Sequence, residues 1–482
     1  MMSYEPVIGL EVHAEMLTRS KMFCACPVVD PTEAAPNTAV CPVCTAQPGT
    51  LPVVNRRAVE YGIMVGLALH CTINEVSMFA RKSYFYPDLP KGYQISQYEY
   101  PLASNGWLDI ELPGGQIKRI GVRRAHLEED TGKLIHVNDH SLVDLNRAGV
   151  PLLEIVSEPD LRSVEEVEAY ARKLRAILVY LGVNHGDMSK GVLRFEANIS
   201  VRPAGSDELR TRTEVKNLNS IRSLVRATRY EIARQIAIYE AGGTVVQQTM
   251  GFNEATGETR TQRIKETADD YRYFPEPDIP PLVISREWVE SIRAGLPELP
   301  DAKRDRFVAD YGIPLDTAAV LVADRAAADY FEAVLAAGAD PRSAANWVTT
   351  ELFRLMNAEN TGITDVKVSP AALAGLLRLI EDGTINNNTA KDVLAVMFST
   401  GQDAQSVVEE RGLAQISDQD TLAALVDRVI AENPQQVASY LGGKEGLIGW
   451  FVGQVMRQTG GQANAGMVNE MFRQRFEKMR GQ

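Results

Sequence analysis

The sequence lacks any long apolar run and any recognisable N-terminal targeting segment. No stretch of about 18 apolar residues occurs among its 482 residues, so no membrane-spanning helix is expected. The first residues do not combine a basic segment with a following apolar run, which argues against a signal peptide, and they lack the early arginines of a transit peptide. We therefore expect a cytoplasmic protein.

Cysteine and histidine are scarce and are confined to the first part of the chain. The five cysteines lie at or before Cys71, and the six histidines lie at or before His185. Chemistry that needs a thiolate or an imidazole must therefore use the N-terminal domain. The length of the chain suggests about three domains.

Positive charge is also in short supply. The formal net charge is −13, and residues 287–443 alone hold 12 basic and 24 acidic residues. Such an acidic total argues against loose, sequence-blind binding of nucleic acid. Residues 444–482 are the exception, with 6 basic and 3 acidic residues. This segment is either a local basic binding surface or an ordinary solvated helix face.

The common phosphate-binding loops are missing. The Thr-Gly-Lys sequence at 131–133 lacks the upstream glycine of a Walker motif, and Leu134 stands where that motif has a hydroxyl residue. No Gly-x-Gly-x-x-Gly sequence follows a predicted strand. Any nucleotide must therefore be held by side chains on a sheet.

Hydrophobic periodicity predicts an α+β fold with a largely antiparallel sheet. Alternation with period two predicts half-buried strands at 4–17 and 193–202, and 150–156 is typical of a more buried strand. Capping residues and apolar spacing predict helices at 163–181 and 220–239. Few regular strand–helix–strand spacings occur, which favours antiparallel pairing.

The proline-rich segment 275–281 is the clearest break in the pattern, because proline at this density cannot continue a helix or a central strand. The sequence after it predicts helices and no convincing strand. A second boundary is expected near Gly401. Ser417 is the predicted cap of a helix that ends before Pro434.

The first strand carries two candidate ligands. Glu11 and His13 share a face, about 7 Å apart, and this face is either solvated or binds a ligand. Glu154 is predicted to be buried, because it shares a face with apolar neighbours. A buried carboxylate needs a cation, either a metal ion or an arginine such as Arg147 or Arg162.

Three consecutive acids at 128–130 repel one another, and a cation would relieve that repulsion. Hard oxygen ligands together with one imidazole suit Mg²⁺ or Mn²⁺ with phosphate better than a closed zinc site.

The cysteines form a second candidate site. Cys24 and Cys26 are followed by Cys41 and Cys44, which is zinc-knuckle spacing. Four thiolates would complete the coordination of a structural Zn²⁺, and free thiols are the alternative. Cys71 lies outside this group and is more typical of a core thiol.

Two further segments, 79–97 and 270–278, are rich in tyrosine, arginine and lysine. Such loops suit a base, a phosphate or an RNA end. A packed loop whose hydroxyl groups are hydrogen-bonded is the alternative.

Together these segments resemble the B subunits of the glutamyl/aspartyl-tRNA amidotransferases, the GatB family. The matching stretches are residues 8–13, the cysteine pairs, 84–97, 126–133, 194–202, 214–220, 270–277, 345–347, 416–418 and 453–456. The resemblance covers essentially the whole chain. It implies a cradle domain with a glutamine-synthetase-like fold over 1–292, a helical domain over 293–405 and a helical, tRNA-binding tail domain over 406–482.

The resemblance also implies an activity and partners. The family assembles with a glutaminase, the A subunit, which releases ammonia from glutamine, and with a small C subunit. The GatB chain would use ATP and Mg²⁺ to phosphorylate the side-chain carboxylate of Glu or Asp misacylated on tRNA. Ammonia would then displace the phosphate.

Individual roles are implied in the same way. The implied catalytic residues are Glu11, His13, Glu128, Glu154, Glu196 and Glu214. Three of them are the implied Mg²⁺ ligands: His13, Glu128 and Glu154. The implied nucleotide or phosphate contacts are Arg194, Lys216 and Arg272. The implied ammonia path includes Lys82, Lys91 and Ser96. The family usually has aspartate where this chain has Glu196.

Two other hypotheses stay open at this point. A free-standing ligase that activates a small amino acid would explain the metal site, but not a helical arm of roughly 190 residues. A tRNA-binding scaffold with structural zinc and no catalysis would leave the buried Glu154 unexplained.

Overall fold

The computed structural model describes residues 3–30, 32–264, 271–415 and 418–480. Its strands, in chain order, are β1 (Tyr4–Glu15), β2 (Thr72–Ile73), β3 (Val76–Ser77), β4 (Ala80–Ser83), β5 (Tyr93–Ser96), β6 (Ala103–Leu112), β7 (Gln116–Glu129), β8 (Lys133–Val137), β9 (His140–Asp144), β10 (Pro151–Ser157), β11 (Leu193–Pro203), β12 (Thr213–Leu218), β13 (Gln248–Asn253), β14 (Glu258–Ile264), β15 (Phe274–Pro275) and β16 (Leu282–Val283).

The helices of the described residues are α1 (Arg56–Ala68), α2 (Val164–Tyr180), α3 (Ile221–Glu240), α4 (Arg286–Ala294), α5 (Pro300–Tyr311), α6 (Leu315–Val322), α7 (Arg325–Ala336), α8 (Pro341–Asn346), α9 (Phe353–Glu359), α10 (Pro370–Glu381), α11 (Asn387–Thr400), α12 (Ala404–Arg411), α13 (Gln419–Glu432), α14 (Pro434–Leu441), α15 (Ile448–Gln458) and α16 (Ala465–Arg480). A π-helical turn, Trp347–Leu352, joins α8 to α9.

The chain divides into two compact units, residues 1–299 and 300–482. The first unit is built on a nine-stranded sheet in the order β14–β13–β12–β11–β1–β10–β7–β6–β2. The pairing between β12 and β13 is parallel, and the other pairings within this sheet are antiparallel. The predicted α+β class with a largely antiparallel sheet is confirmed.

One face of this sheet is apolar and packs against helices. Ile8, Leu10, Val12 and Ala14 of β1 are fully buried, and they share one core with residues of α1, α2 and α3. The predicted helices are present: the hydroxyl groups of Ser163 and Ser220 cap α2 and α3. Because the helices cover the apolar face, the polar side chains of alternate residues project from the other face.

A buried carboxylate on α3 fixes the strands at one side of the sheet. Glu231 accepts hydrogen bonds from Thr213 at the start of β12 (2.7 Å) and from Thr259 on β14 (3.0 Å). Gln235 also donates to Glu231 and to the Ile199 carbonyl of β11. This network holds β11, β12 and β14 on α3, next to the position of Glu214.

The proline-rich segment does not end the first unit. After it, β16 pairs with β3, so the prediction of no strand beyond this segment is wrong. Two-residue strands are too short to show a period in the sequence. The helix α4 then returns to α1, where the Arg56 guanidinium lies 5.1 Å from the centre of the Trp288 ring.

The second unit is helical throughout its described residues. Helices α13 to α16 enclose a core of their own that includes Phe451, Phe472 and Phe476. Asp418 caps α13, which ends at Glu432, before Pro434 as predicted. The predicted cap, Ser417, lies outside the described residues. The division of the helical region at 405/406 stays a prediction.

Within the described residues, no helix combines the length and the apolar character needed to cross a lipid bilayer.

Candidate active site

The candidate site lies on the polar face of the large sheet and is set by strand register. Glu11 on β1 is paired with Glu196 on β11, and His13 is paired with Glu154 on β10. Glu154 is in turn paired with His126 on β7. Paired residues point to the same side of a sheet, so segments from distant parts of the sequence meet there.

The first cluster places two imidazoles around two carboxylates. His13 Nε2 lies 3.6 Å from Glu128 Oε1 and 3.5 Å from Glu154 Oε2. His126 Nε2 lies 3.3 Å from the same Glu154 oxygen. One ligand atom each from His13, Glu128 and Glu154 lies within 4.8 Å of the others. This donor set of one nitrogen and several oxygens fits a hard divalent cation.

The charges of the first cluster are strongly coupled. Burial alone would lower the pKa of His13, but the hydrogen bond and charge of Glu154, with the charges of Glu196 and Glu128, raise it to about 9. Burial, then the charge of Glu154, raises the pKa of Glu128. Although burial opposes it, His126 and His13 hold the pKa of Glu154 well below its usual range. In this arrangement Glu154 is a carboxylate between two imidazoles.

The arginine alternatives for Glu154 are wrong. The Arg147 guanidinium donates to the carbonyl oxygens of Thr131 and Gly132. The Arg162 guanidinium donates to backbone carbonyls beside it in the chain. Glu154 is buried as predicted, at 9% exposure, and its partners are imidazoles.

The second cluster lies beside the first and shares β1 with it. Carboxylate oxygens of Glu11, Glu196 and Glu214 lie within 4.8 Å of one another. The Lys216 ammonium lies 2.7 Å from Glu196 and 3.1 Å from Glu214. Asn198 donates to Glu11 at 2.9 Å. Burial, then the charges of the neighbouring glutamates, raises the pKa of Glu11, so the cluster favours an added cation.

Arg194 precedes Glu196 on β11, and acidic side chains contact its guanidinium. Its guanidinium lies 2.9 Å from Asp130 and 3.6 Å from Glu15. Burial, then the charge of Asp130, raises the pKa of Glu15 to about 8. The raised pKa of Glu15 and the lowered pKa of Asp130 favour a charge on Asp130, which faces Arg194.

Tyrosines surround Lys82 at the rim of the polar face. Its ammonium lies 4.9 Å from the centre of the Tyr271 ring, and the charges of Glu128 and Glu154 raise its pKa although burial opposes this. Tyr273 stacks on Tyr98 at 4.3 Å. Between these tyrosines, Arg272 has an exposed side chain and a left-handed backbone, with φ 46°.

The three residues of the implied ammonia path lie in different surroundings. Ser96 donates to Glu128 at 3.2 Å, so it joins the first cluster, as Lys82 does through its charge. Lys91 pairs with Glu129 at 2.6 Å. Both members of that pair line a cavity of about 280 Å³ that also borders Cys24 and Cys44.

The four predicted zinc ligands converge. One sulfur atom each from Cys24, Cys26, Cys41 and Cys44 lies within 4.8 Å of the others, and none of these cysteines forms a disulfide. Hydrogen bonding to Cys24 lowers the pKa of Cys44 to about 4, against the effect of burial. The fully buried Lys21 ammonium lies 3.6 Å from the Cys44 sulfur. Thiolate donors beside a buried cation fit a Zn²⁺ tetrathiolate.

The comparisons with known proteins identify the family of the chain. Residues 6–290 match the model of the GatB/GatE catalytic domain, and residues 329–476 match that of the GatB domain. The chain is 54% identical over 476 residues to the B subunit of the aspartyl/glutamyl-tRNA(Asn/Gln) amidotransferase of Geotalea uraniireducens, covering 98% of this chain and 99% of that protein. It is 51% identical to the protein of the same name from Thermoanaerobacter pseudethanolicus, covering 99% and 100% respectively. The chain belongs to the GatB family.

The GatB/GatE catalytic domain contains both carboxylate clusters and the cysteine site. Sequence reasoning singled out the stretch 126–133 but gave His126 itself no role in the site. It is 2% exposed, and its Nδ1 has no hydrogen-bond partner among the described residues. Its position two residues before Glu128 on one strand is the signal that could have found it.

Proposed function

We propose that this chain is the GatB component of a tRNA-dependent amidotransferase that activates the side-chain carboxylate of misacylated Glu-tRNA(Gln), Asp-tRNA(Asn) or both. The observation that carries the proposal is the pair of acidic clusters sharing β1 on the polar face. The match over the full chain to proteins with that name supports it.

The reaction needs activation because a carboxylate has no good leaving group. A side-chain carboxylate oxygen forms a bond to the γ-phosphorus of ATP while the bond from that phosphorus to the bridging oxygen of ADP breaks. Ammonia then bonds to the acyl carbon, the carbon–oxygen bond to phosphate breaks, and a proton leaves the nitrogen. Carboxylate, ATP and ammonia thus give amide, ADP and inorganic phosphate.

The chain offers residues for each part of this chemistry. His13, Glu128 and Glu154, with His126 beside them, would hold one Mg²⁺, and Glu11, Glu196 and Glu214 would hold a second ion or the nucleotide. Bound Mg²⁺ would neutralise the crowded charge of triphosphate and carboxylate. Lys216, now paired with Glu196 and Glu214, would supply a positive charge for a phosphate bound beside this cluster.

The nitrogen donor and the remaining cofactor follow from the same proposal. Ammonia would come from glutamine hydrolysed by the glutaminase, in a cytoplasmic heterotrimer that the small third protein completes. Lys82, Lys91 and Ser96 would border its path, and Arg194 and Arg272 would be further phosphate contacts. Cys24, Cys26, Cys41 and Cys44 would bind a structural Zn²⁺. The tail, residues 406–482, would bind tRNA.

The test is an assay of the assembled complex. The chain is co-expressed with the glutaminase and the small third protein, and the complex is given ATP, glutamine and either misacylated tRNA. We expect amide formation on at least one tRNA and none without ATP. Amidation of free glutamate at an equal rate would instead support a free-standing ligase, and tRNA binding without amidation would support a scaffold.

A further inference from the structure

Arg124 lies on the polar face of the large sheet but has no role in the candidate site described above. It lies on β7 two residues before His126 and four before Glu128, so the three side chains project from the same side of the strand. Arg124 is paired with Val156 of β10, and Val156 is paired with Glu11 of β1. Arg124 and Glu11 therefore occupy one row of the sheet, two strand spacings or about 10 Å apart.

The Arg124 side chain makes no ion pair and no hydrogen bond with any residue that the structure describes. Its Nε is shielded from solvent and still lacks a partner. Two other cations of this face differ, because Arg194 is paired with Asp130 and Lys216 with two glutamates. A buried, unpaired guanidinium nitrogen is costly, which points to an anionic partner that binds there.

The ring of Tyr98 lies beside this guanidinium. It lies 5.8 Å from the centre of the Tyr98 ring, and Tyr98 is stacked on Tyr273. Contact with the face of a ring uses none of the guanidinium N–H groups. The fork of donors therefore stays available, already oriented, for an oxyanion on the polar face.

Val156 is the residue between Glu11 and Arg124 in this row, and its side chain is short and half-buried. On one side of Val156 lies Glu11, a member of the second carboxylate cluster, and on the other side lies Arg124. Negative oxygens bound above Val156 would therefore lie between a cluster suited to a cation and a guanidinium.

We infer that Arg124 contacts the oxygens of the phosphoryl group transferred from ATP and stabilises their charge during the transfer. The inference rests on the proposed function. As the bond from the substrate carboxylate to phosphorus forms and the bond to the ADP oxygen breaks, charge spreads over the phosphoryl oxygens. The planar guanidinium can donate two parallel N–H hydrogen bonds to these oxygens, whereas a lysine ammonium lacks this geometry.

The experiment uses the complete complex with Arg124→Gln, Arg124→Lys and a control, Arg123→Gln. Arg123 is the neighbouring arginine, is more than half exposed and is paired with Glu158 at 2.7 Å. Amidation is measured with glutamine and again with ammonium chloride in its place, and KM is determined for ATP and for tRNA. Melting temperature and zinc content report on folding.

For Arg124→Gln we expect kcat to fall about 100-fold or more with both nitrogen donors, while KM for tRNA and the melting temperature stay near the parent values. Arg124→Lys, which keeps a cation against Tyr98, should be intermediate, and Arg123→Gln should stay within about twofold. Two results would overturn the inference: a kcat for Arg124→Gln within about threefold of the parent, or a defect confined to KM for tRNA, which would assign Arg124 to a tRNA phosphate. A parent complex that amidates neither tRNA would instead refute the proposed function.

Discussion

Glu154 has a carboxylate held between His13 and His126, and burial leaves little water to offset its charge. In the proposed site it is the residue that both imidazoles and a metal ion share. Its loss should therefore remove more than one contact, since the imidazoles would lose the acceptor that orients them.

We predict that Glu154→Gln, which keeps the size of the side chain, lowers ATP-dependent amidation about 100-fold or more. Amidation by the complex is measured at saturating Mg²⁺. Glu158→Gln is the matched control, because Glu158 is partly exposed, pairs with Arg123 and is not a member of either carboxylate cluster. Normal amidation by Glu154→Gln would remove this residue from the site.

Glu15 offers a prediction about pH. Burial and the charge of Asp130 raise its pKa from 4.5 to about 8, so the folded chain keeps a proton that the unfolded chain has lost between these values. The contribution of this proton to the free energy of unfolding is fully present below about pH 4.5 and is lost as the pH rises through about 8. The free energy of unfolding should therefore fall with rising pH in this window.

The variant Glu15→Gln resembles the protonated acid at every pH, so it should lose this dependence. Melting temperatures of the parent and the variant, measured from about pH 5 to about pH 9, should diverge, with the variant less sensitive to rising pH. Parallel curves would show that Glu15 is ionised in the folded chain throughout.

At the scale of elements, the segment between β1 and α1 has little regular structure of its own. Across residues 16–55 it has no helix and no strand longer than an isolated bridge in its described part. The cysteine site joins the two halves of this segment. The Lys21 ammonium anchors the segment by donating a hydrogen bond to the Leu145 carbonyl. A metal that closes such a loop can supply much of its stability.

We predict that Cys41→Ser lowers the zinc content of the purified chain from about one to near zero per molecule and makes residues 16–55 sensitive to proteolysis. Elemental analysis and limited proteolysis measure the two effects. Cys71→Ala is the control, because Cys71 lies in the core outside the site and should leave zinc unchanged. A metal-free parent chain that resists proteolysis would contradict this role of the cysteines.

At the scale of the whole molecule, the last four helices enclose a core of their own. A chain ending at residue 415 removes that core as one piece. We predict that the truncated complex binds tRNA at least about tenfold more weakly and still hydrolyses glutamine at the parent rate. Affinity measured at fixed ionic strength decides this, because phosphate contacts depend on salt. Unchanged affinity would refute a tRNA-binding role for the tail.

Sequence patterns predicted the parts of the molecule that carry a clear period. The alternation around Glu11 and His13 gave β1, and serine caps gave the starts of α2 and α3. The side-chain partners of Glu154 could not be predicted in this way, because His126 is brought beside it by the pairing of β10 with β7. Pairing register depends on the whole sheet, and two-residue strands such as β16 show no period at all.

In the proposed function, the polar face activates a carboxylate by phosphorylating it. The most direct measurement labels the side-chain carboxylate of tRNA-bound glutamate or aspartate with oxygen-18 and analyses the inorganic phosphate released during amidation. An acyl-phosphate route requires one labelled oxygen in phosphate for each amide formed. Phosphate that carries no label, while labelled substrate is converted to amide, would rule out phosphorylation of the carboxylate.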